Sequence, residues 1–135
     1  MPTHATGHIS YADWKENPAG PQEPLPRLAH ASVVNAFTGG IEAARTTCEY
    51  TIVYTTGKTG TFTGMELLAG RLDGREGSFV LEERGSFEAD GSVRCSFEVV
   101  PGSGTGELAG LRGTGTFVYR PGETPFPYSF DYDLD

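Results

Sequence analysis

Apolar and polar residues alternate with period two over much of the chain. Cys48, Tyr50, Ile52 and Tyr54 share one face of a run whose other face carries Thr47, Glu49 and Thr51. Val93, Cys95, Phe97 and Val99 alternate with Arg94, Ser96 and Glu98. Tyr128, Phe130, Tyr132 and Leu134 alternate with Ser129, Asp131, Asp133 and Asp135. Neighbouring side chains on a strand point to opposite faces, so this pattern predicts antiparallel strands with one buried and one wet face.

Turn signals divide the pattern. Strands are predicted over Gly7–Glu16, Arg27–Phe37, Ile41–Thr55, Thr61–Leu72, Gly77–Glu88, Ser92–Val100, Gly115–Tyr119 and Tyr128–Asp135. Gly39-Gly40, Gly57–Gly60, Asp73-Gly74 and Ala89-Asp90-Gly91 separate them, and Asp-Gly is among the strongest short hairpin signals. Pro18, Pro21, Pro24 and Pro26 fall within nine residues, which predicts an extended surface connection that cannot join a helix or an inner strand. About eight strands with short connections predict an all-β fold, a single domain over residues 1–135. A closed antiparallel barrel suits it, because closure leaves no exposed edge.

The stretch Val99–Phe117 interrupts the alternation with Gly102, Gly104, Gly106, Gly110, Gly113 and Gly115. It contains no lysine, so it is not a P-loop. Gly104–Ala109 spells GxGxxA, but Gly110, Gly113 and Gly115 cut the helix that a dinucleotide site requires, and Glu107 sits where a pyrophosphate would lie. Ser103 is not in a GxSxG elbow. The stretch reads as a compact corner between two strands, with at most one helical turn.

Composition and charge narrow the functional classes. The 135 residues carry a net charge of −8, with Lys15 and Lys58 the only lysines. No basic stripe exists to displace counterions from a nucleic acid, and an anionic membrane surface would repel the chain. No apolar run reaches the length of a transmembrane helix, and the N-terminus lacks the pattern of a secretory signal, so a cytoplasmic location is expected. Cys48 and Cys95 form no CxxC and read as reduced thiols on apolar faces; a disulfide would need their strands side by side. His4 and His8, on a strand, would lie about 13 Å apart, and His30 stands alone, so neither a metal nor any other cofactor is predicted.

Two carboxylates carry the candidate chemistry. Glu66 is in phase with Phe62, Leu68 and Leu72, and Glu83 with Phe79, Leu81 and Phe87. An inward glutamate costs free energy unless it is hydrogen-bonded or protonated, and such a group can act as general acid or base. The alternatives are a phase slip at a bulge, or pairing with Arg71, Arg84 or Arg94. Trp14, Tyr50, Tyr54, Phe62, Phe79, Phe97, Phe117 and Tyr119 are candidate lining residues for a ligand; the alternative is plain core.

The stretches Gly70–Glu88 and Phe97–Phe117, together with Trp14, Glu16, Phe37-Thr38-Gly39 and Gly64-Met65-Glu66, resemble a bacterial family of small proteins of unknown function. Glu83 departs from the pattern, since histidine is frequent there in the family. That family is similar in fold to allene oxide cyclase, an antiparallel barrel that binds an oily substrate in its lumen. The resemblance implies a small-molecule protein. The leading expectation is a cofactor-free cyclase or isomerase acting on a hydrophobic substrate, with Glu66 and Glu83 as catalytic groups. The alternatives are a non-catalytic carrier or sensor with the same cavity, and a filled structural barrel. A homo-oligomer is a further expectation.

Overall fold

A computed structural model describes residues 2–134; Asp135, at the end of the last predicted strand, lies outside the described residues. Nine antiparallel strands make up the chain: β1 Thr3–Ala19, β2 Arg27–Gly39, β3 Ile41–Glu42, β4 Thr47–Tyr54, β5 Gly60–Leu72, β6 Arg75–Phe87, β7 Val93–Val99, β8 Arg112–Tyr119 and β9 Phe126–Asp133. The strand order is β3-β5-β4-β2-β1-β9-β8-β7-β6, and β6 pairs again with β5. Eight strands therefore close into a ring, with β3 set at the end of β5. Among the described residues there is no α-helix, only one 3-10 turn at Gly106–Leu108.

The inward phase follows the alternation. In β5, Phe62, Glu66, Leu68 and Leu72 are buried while Thr61, Thr63, Met65, Leu67 and Arg71 are exposed. Asp73 and Gly74 both have positive φ, as a two-residue hairpin between right-twisted strands requires.

Several strand bounds differ from the expectation; β8 starts at Arg112 and β9 at Phe126, each a few residues early. The predicted strand Ile41–Thr55 is broken at Ala43–Thr46. Ile41 pairs with Leu72 and Glu42 with Arg71, but Thr47 pairs with Leu67, so four residues (43–46) face three (68–70) on β5. This extra residue switches the inward phase from odd (Ile41, Ala43) to even (Thr46, Cys48, Tyr50). The first strand is longer than predicted and runs through Pro18 to Ala19, which pair with Ala29 and Leu28. Proline is tolerated there because β1 pairs with β9 only as far as Ile9, leaving Pro18 on a one-sided edge. β1 also carries a bulge: Ala12 faces Val34 and Lys15 faces Ser32, so Asp13 and Trp14 together oppose Val33, with Asp13 at φ 57°.

The glycine-rich segment is a corner, as expected, and it closes one end of the ring. Val80 N–H donates to Ser103 Oγ at 3.1 Å, Ser78 N–H to Thr105 Oγ1 at 3.1 Å, and Glu76 N–H to Glu107 Oε1 at 3.0 Å. The corner thus satisfies the part of β6 that extends past β7. It inserts Leu108 and Leu111, both fully buried, beneath Phe79, Phe97 and Phe130.

Candidate functional site

The ring interior holds two apolar clusters rather than one. The larger gathers Phe37, Leu68, Leu72, Phe79, Leu81, Phe97, Leu108, Phe126 and Phe130 toward the closed end. The smaller gathers Ala29, Ala31, Val33, Cys48, Tyr50, Ile52, Phe62 and Cys95. Between them and the opposite mouth lies a cavity of about 640 Å³ to which all eight ring strands contribute lining residues, along with Lys58 and the turn Glu88–Gly91.

Six of the eight candidate lining residues meet there: Trp14, Tyr50, Tyr54, Phe62, Phe117 and Tyr119. Phe79 and Phe97 do not. Both point into the ring, but they sit toward the plugged end, where Phe130 packs against each, with ring centroids 6.5 and 5.9 Å away. The β1 bulge is what brings Trp14 into the set. Ala5 and Ile9 point inward at odd positions; after the extra residue the even position 14 faces Tyr50, with ring centroids 6.3 Å apart. Trp14 remains 48% exposed and forms the rim with Tyr11, whose ring meets Tyr119 edge-on at 5.9 Å. Glu16 belongs to this rim as well, accepting from Trp14 Nε1 at 3.3 Å and from the Tyr54 hydroxyl at 2.5 Å. Partial burial and that bond push the Tyr54 phenol up to about 12.

Glu66 and Glu83 both point inward, each 1% exposed. They stand on adjacent strands, and one ligand-capable atom from each of Cys48, Glu66 and Glu83 lies within 4.8 Å of the others. Glu66 reaches the cavity wall beside Asn35. Its Oε2 accepts from Asn35 Nδ2 at 2.8 Å and from Thr46 Oγ1 at 2.5 Å. Glu83 lies behind Tyr50 and does not line the cavity. Its Oε1 accepts from the Tyr50 hydroxyl at 2.7 Å and, weakly, from Cys95 Sγ at 3.9 Å. Tyr50 stands on β4 and Glu83 on β6, so the contact crosses β5. It can do so because Gly64 faces both residues across the sheet; a Cβ there would lie 2.5 Å from the Tyr50 ring and 2.2 Å from Glu49 O.

Arginine does not neutralise the pair. Arg84 lies 3.5 Å from Glu82 instead, and among the described residues neither Glu66 nor Glu83 forms an ion pair. Burial first, and then the nearby Glu66 charge, hold the Glu83 carboxyl well above the ordinary carboxylate range. The physical consequence is one proton and one negative charge across two carboxyls. The raised carboxyl is that of Glu83, while Glu66 accepts from the two closer polar donors of its own, Asn35 and Thr46. Such a pair can take up or release a proton at a ligand without exposing a second buried charge.

Cys48 and Cys95 are free and buried. Burial and then the neighbouring carboxylates push both thiols up, so each is a neutral S–H. Cys48, Glu66 and Glu83 are spaced closely enough to share an ion, and binding one would have to displace the protons that burial holds on Cys48 and Glu83. His4 and His30 are occupied elsewhere, 2.6 Å from Asp131 and 3.0 Å from Glu49.

Two partners of Glu66 escaped the sequence reading. Asn35 shares the odd phase of Ala31, Val33 and Phe37 in β2, so the test that singled out the glutamates, a polar residue on an apolar face, identifies it too. Thr46 carried no such signal, because only the break in the third predicted strand turns it inward.

Fold and site together define an all-β protein, a closed antiparallel ring around an apolar cavity with Glu66 at its inner wall and Glu83 behind it. The chain belongs to the family of proteins of unknown function designated DUF3224, whose model matches residues 5–132. A crystal structure of a DUF3224 protein of unknown function from Shewanella oneidensis MR-1 is similar to it over 100% of this chain and 99% of that one, with 30% identity and a TM-score of 0.77. No curated protein matches the chain.

Proposed function

We propose that the ring is a barrel similar to that of allene oxide cyclase, that it binds a hydrophobic small molecule in its lumen, and that it acts on that molecule as a cofactor-free isomerase or cyclase. The observation that supports this reading is the cavity: about 640 Å³, apolar on nearly every side, with one charged group at its inner wall. Small-molecule sites are typically about 300–1,000 Å³, mostly apolar, with a few convergent polar groups. A purely structural ring would fill this space with side chains, as the closed end is filled.

In this reading Glu66 is the catalytic residue, because it alone of the two carboxyls reaches the ligand. It takes a proton from one position of the substrate and returns it to another. Glu83 is a positioning residue that holds the shared proton and keeps the pair singly charged. The walls formed by Trp14, Tyr50, Phe62, Phe117 and Tyr119 restrict the substrate's conformation, which lowers the entropic part of the barrier to ring closure or double-bond migration.

Native mass spectrometry of freshly purified protein, followed by release under denaturing conditions, tests the binding step. An apolar small molecule is expected to dissociate from the wild type. Glu66→Gln, saturated with the same molecule, is then expected to lose turnover about 100-fold or more, the low end for a general acid or base. Unchanged turnover removes Glu66 from the chemistry; binding without any turnover makes the protein a carrier.

A further inference from the structure

We infer that the cavity selects an apolar amine, a hydrophobic chain or ring system bearing an ammonium group that docks on Glu66. The inference rests on the proposed binding of a hydrophobic molecule in the lumen and names its polar end.

Charge is the first argument. The carboxyl pair keeps one negative charge at the inner wall of an apolar cavity and, among the described residues, forms no ion pair. The groups that face Glu66 are Asn35 from β2, Thr46 from the break before β4, Cys48 and Tyr50 from β4, and Glu83 from β6. All are neutral or acidic. Hydrogen bonds from Asn35 and Thr46 satisfy one carboxylate oxygen, but they supply no counter-charge. An ammonium ion does, and removal of one partner from a buried charge pair is what makes such sites costly when empty of their counter-ion. A ligand carboxylate would instead add a third acid beside two that already cannot both ionise.

The walls are the second argument. Tyr50 and Phe62 stand near the inner wall and Trp14, Phe117 and Tyr119 on the way in; their ring faces attract an ammonium group that has left water. The rim adds to this. Glu16 and Glu88 stand at the mouth with Lys58, and Arg27 is held over the Tyr54 ring at 3.8 Å. The chain's net charge of −8 favours the approach of a cation over that of an anion.

The test is a competition of three probes with the same chain, octylamine, octyl alcohol and octanoate, against the neutral fluorophore N-phenylnaphthylamine bound to the whole protein at physiological salt. Octylamine is expected to displace the fluorophore at a concentration about tenfold or more below octyl alcohol, the low end for a close charge pair across a desolvated contact. Octanoate is expected to be the weakest. Glu66→Gln should bring octylamine to the level of octyl alcohol and leave the alcohol unchanged. Should that variant fold poorly, Glu83→Gln serves instead: Glu66 then holds the charge alone, and the amine preference should persist. Fluorophore binding with octyl alcohol or octanoate equal to octylamine overturns the inference and leaves the binding proposal standing. An amine preference that survives Glu66→Gln overturns it as well, since it would reflect only the net charge. Absence of fluorophore binding overturns both.

Discussion

Phe130 and Tyr50 both project into the ring, yet their surroundings differ. Phe130 meets Phe79, Phe97 and Tyr132, with Leu108 and Leu111 in the same cluster, and is fully buried. Tyr50 meets Phe62 at 5.0 Å and Trp14 at 6.3 Å, then opens onto the cavity. The two ends of one sheet therefore do separate work. The closed end has an added layer, the glycine-rich corner, whose Leu108 and Leu111 are fully buried among its aromatic rings. The open end has the β1–β2 arm, Lys58 and the turn Glu88–Gly91 around its mouth but no inserted side chains like Leu108 and Leu111, so its side chains line a space instead of filling it. A closed ring of eight strands suits either outcome; here the connections decide which end does which.

The contrast can be broken by substitution. Phe130→Ala should cost about 3–5 kcal/mol, because neighbours on every side prevent collapse of the void; urea denaturation reads this directly. A loss below about 1 kcal/mol would mean the closed end is not the stabilising half. The second effect concerns pH. The Glu83 carboxyl is raised in the folded state, so its contribution is fully present below the ordinary carboxylate range and is lost as pH rises toward the raised folded value. Glu83→Gln keeps an acceptor for Tyr50 but cannot titrate. Its stability should therefore fall less than that of the wild type from about pH 5 to pH 8, the two curves diverging by up to about 1.4 kcal/mol per pH unit for one proton. Parallel curves would remove the shared proton from the site. The smallest effect on stability belongs to Trp14→Ala, about 0.5 kcal/mol for a half-exposed side chain. Its effect on the cavity should be larger, a weakening of N-phenylnaphthylamine binding by about fivefold or more, equivalent to about 1 kcal/mol. Equal fluorophore affinity would move the ligand away from the rim.

Most of the site was legible in the chain. Period two assigns Glu66, Glu83 and Asn35 to the inward face because a strand's geometry leaves only two directions, and each of these residues sits in a long, regular run. The glycine-rich corner was legible for the same kind of reason: without lysine and without room for a helix, it had no phosphate to hold. Thr46 was not legible, and Trp14, though picked out as an aromatic candidate, could not be placed inward by its phase. Each is placed by one extra residue in one strand of a pair, and such a bulge leaves the local alternation intact while reversing its sense downstream. Whether the extra residue exists depends on a partner far along the chain, Leu67–Arg71 for one and Ser32–Val34 for the other.

The amino-acid sequence by itself determined the strand class, the turns, the buried acids and the absence of a phosphate loop, since all of these follow from neighbouring residues. Tertiary structure alone decided that Phe79 and Phe97 are packed while Tyr50 and Phe62 line a cavity, and that Glu66 faces it while Glu83 does not. Those outcomes depend on which end of the closed ring receives Leu108 and Leu111, and on Tyr50 crossing over Gly64 to cover Glu83. Both are contacts between residues distant in the chain, and no local pattern encodes them.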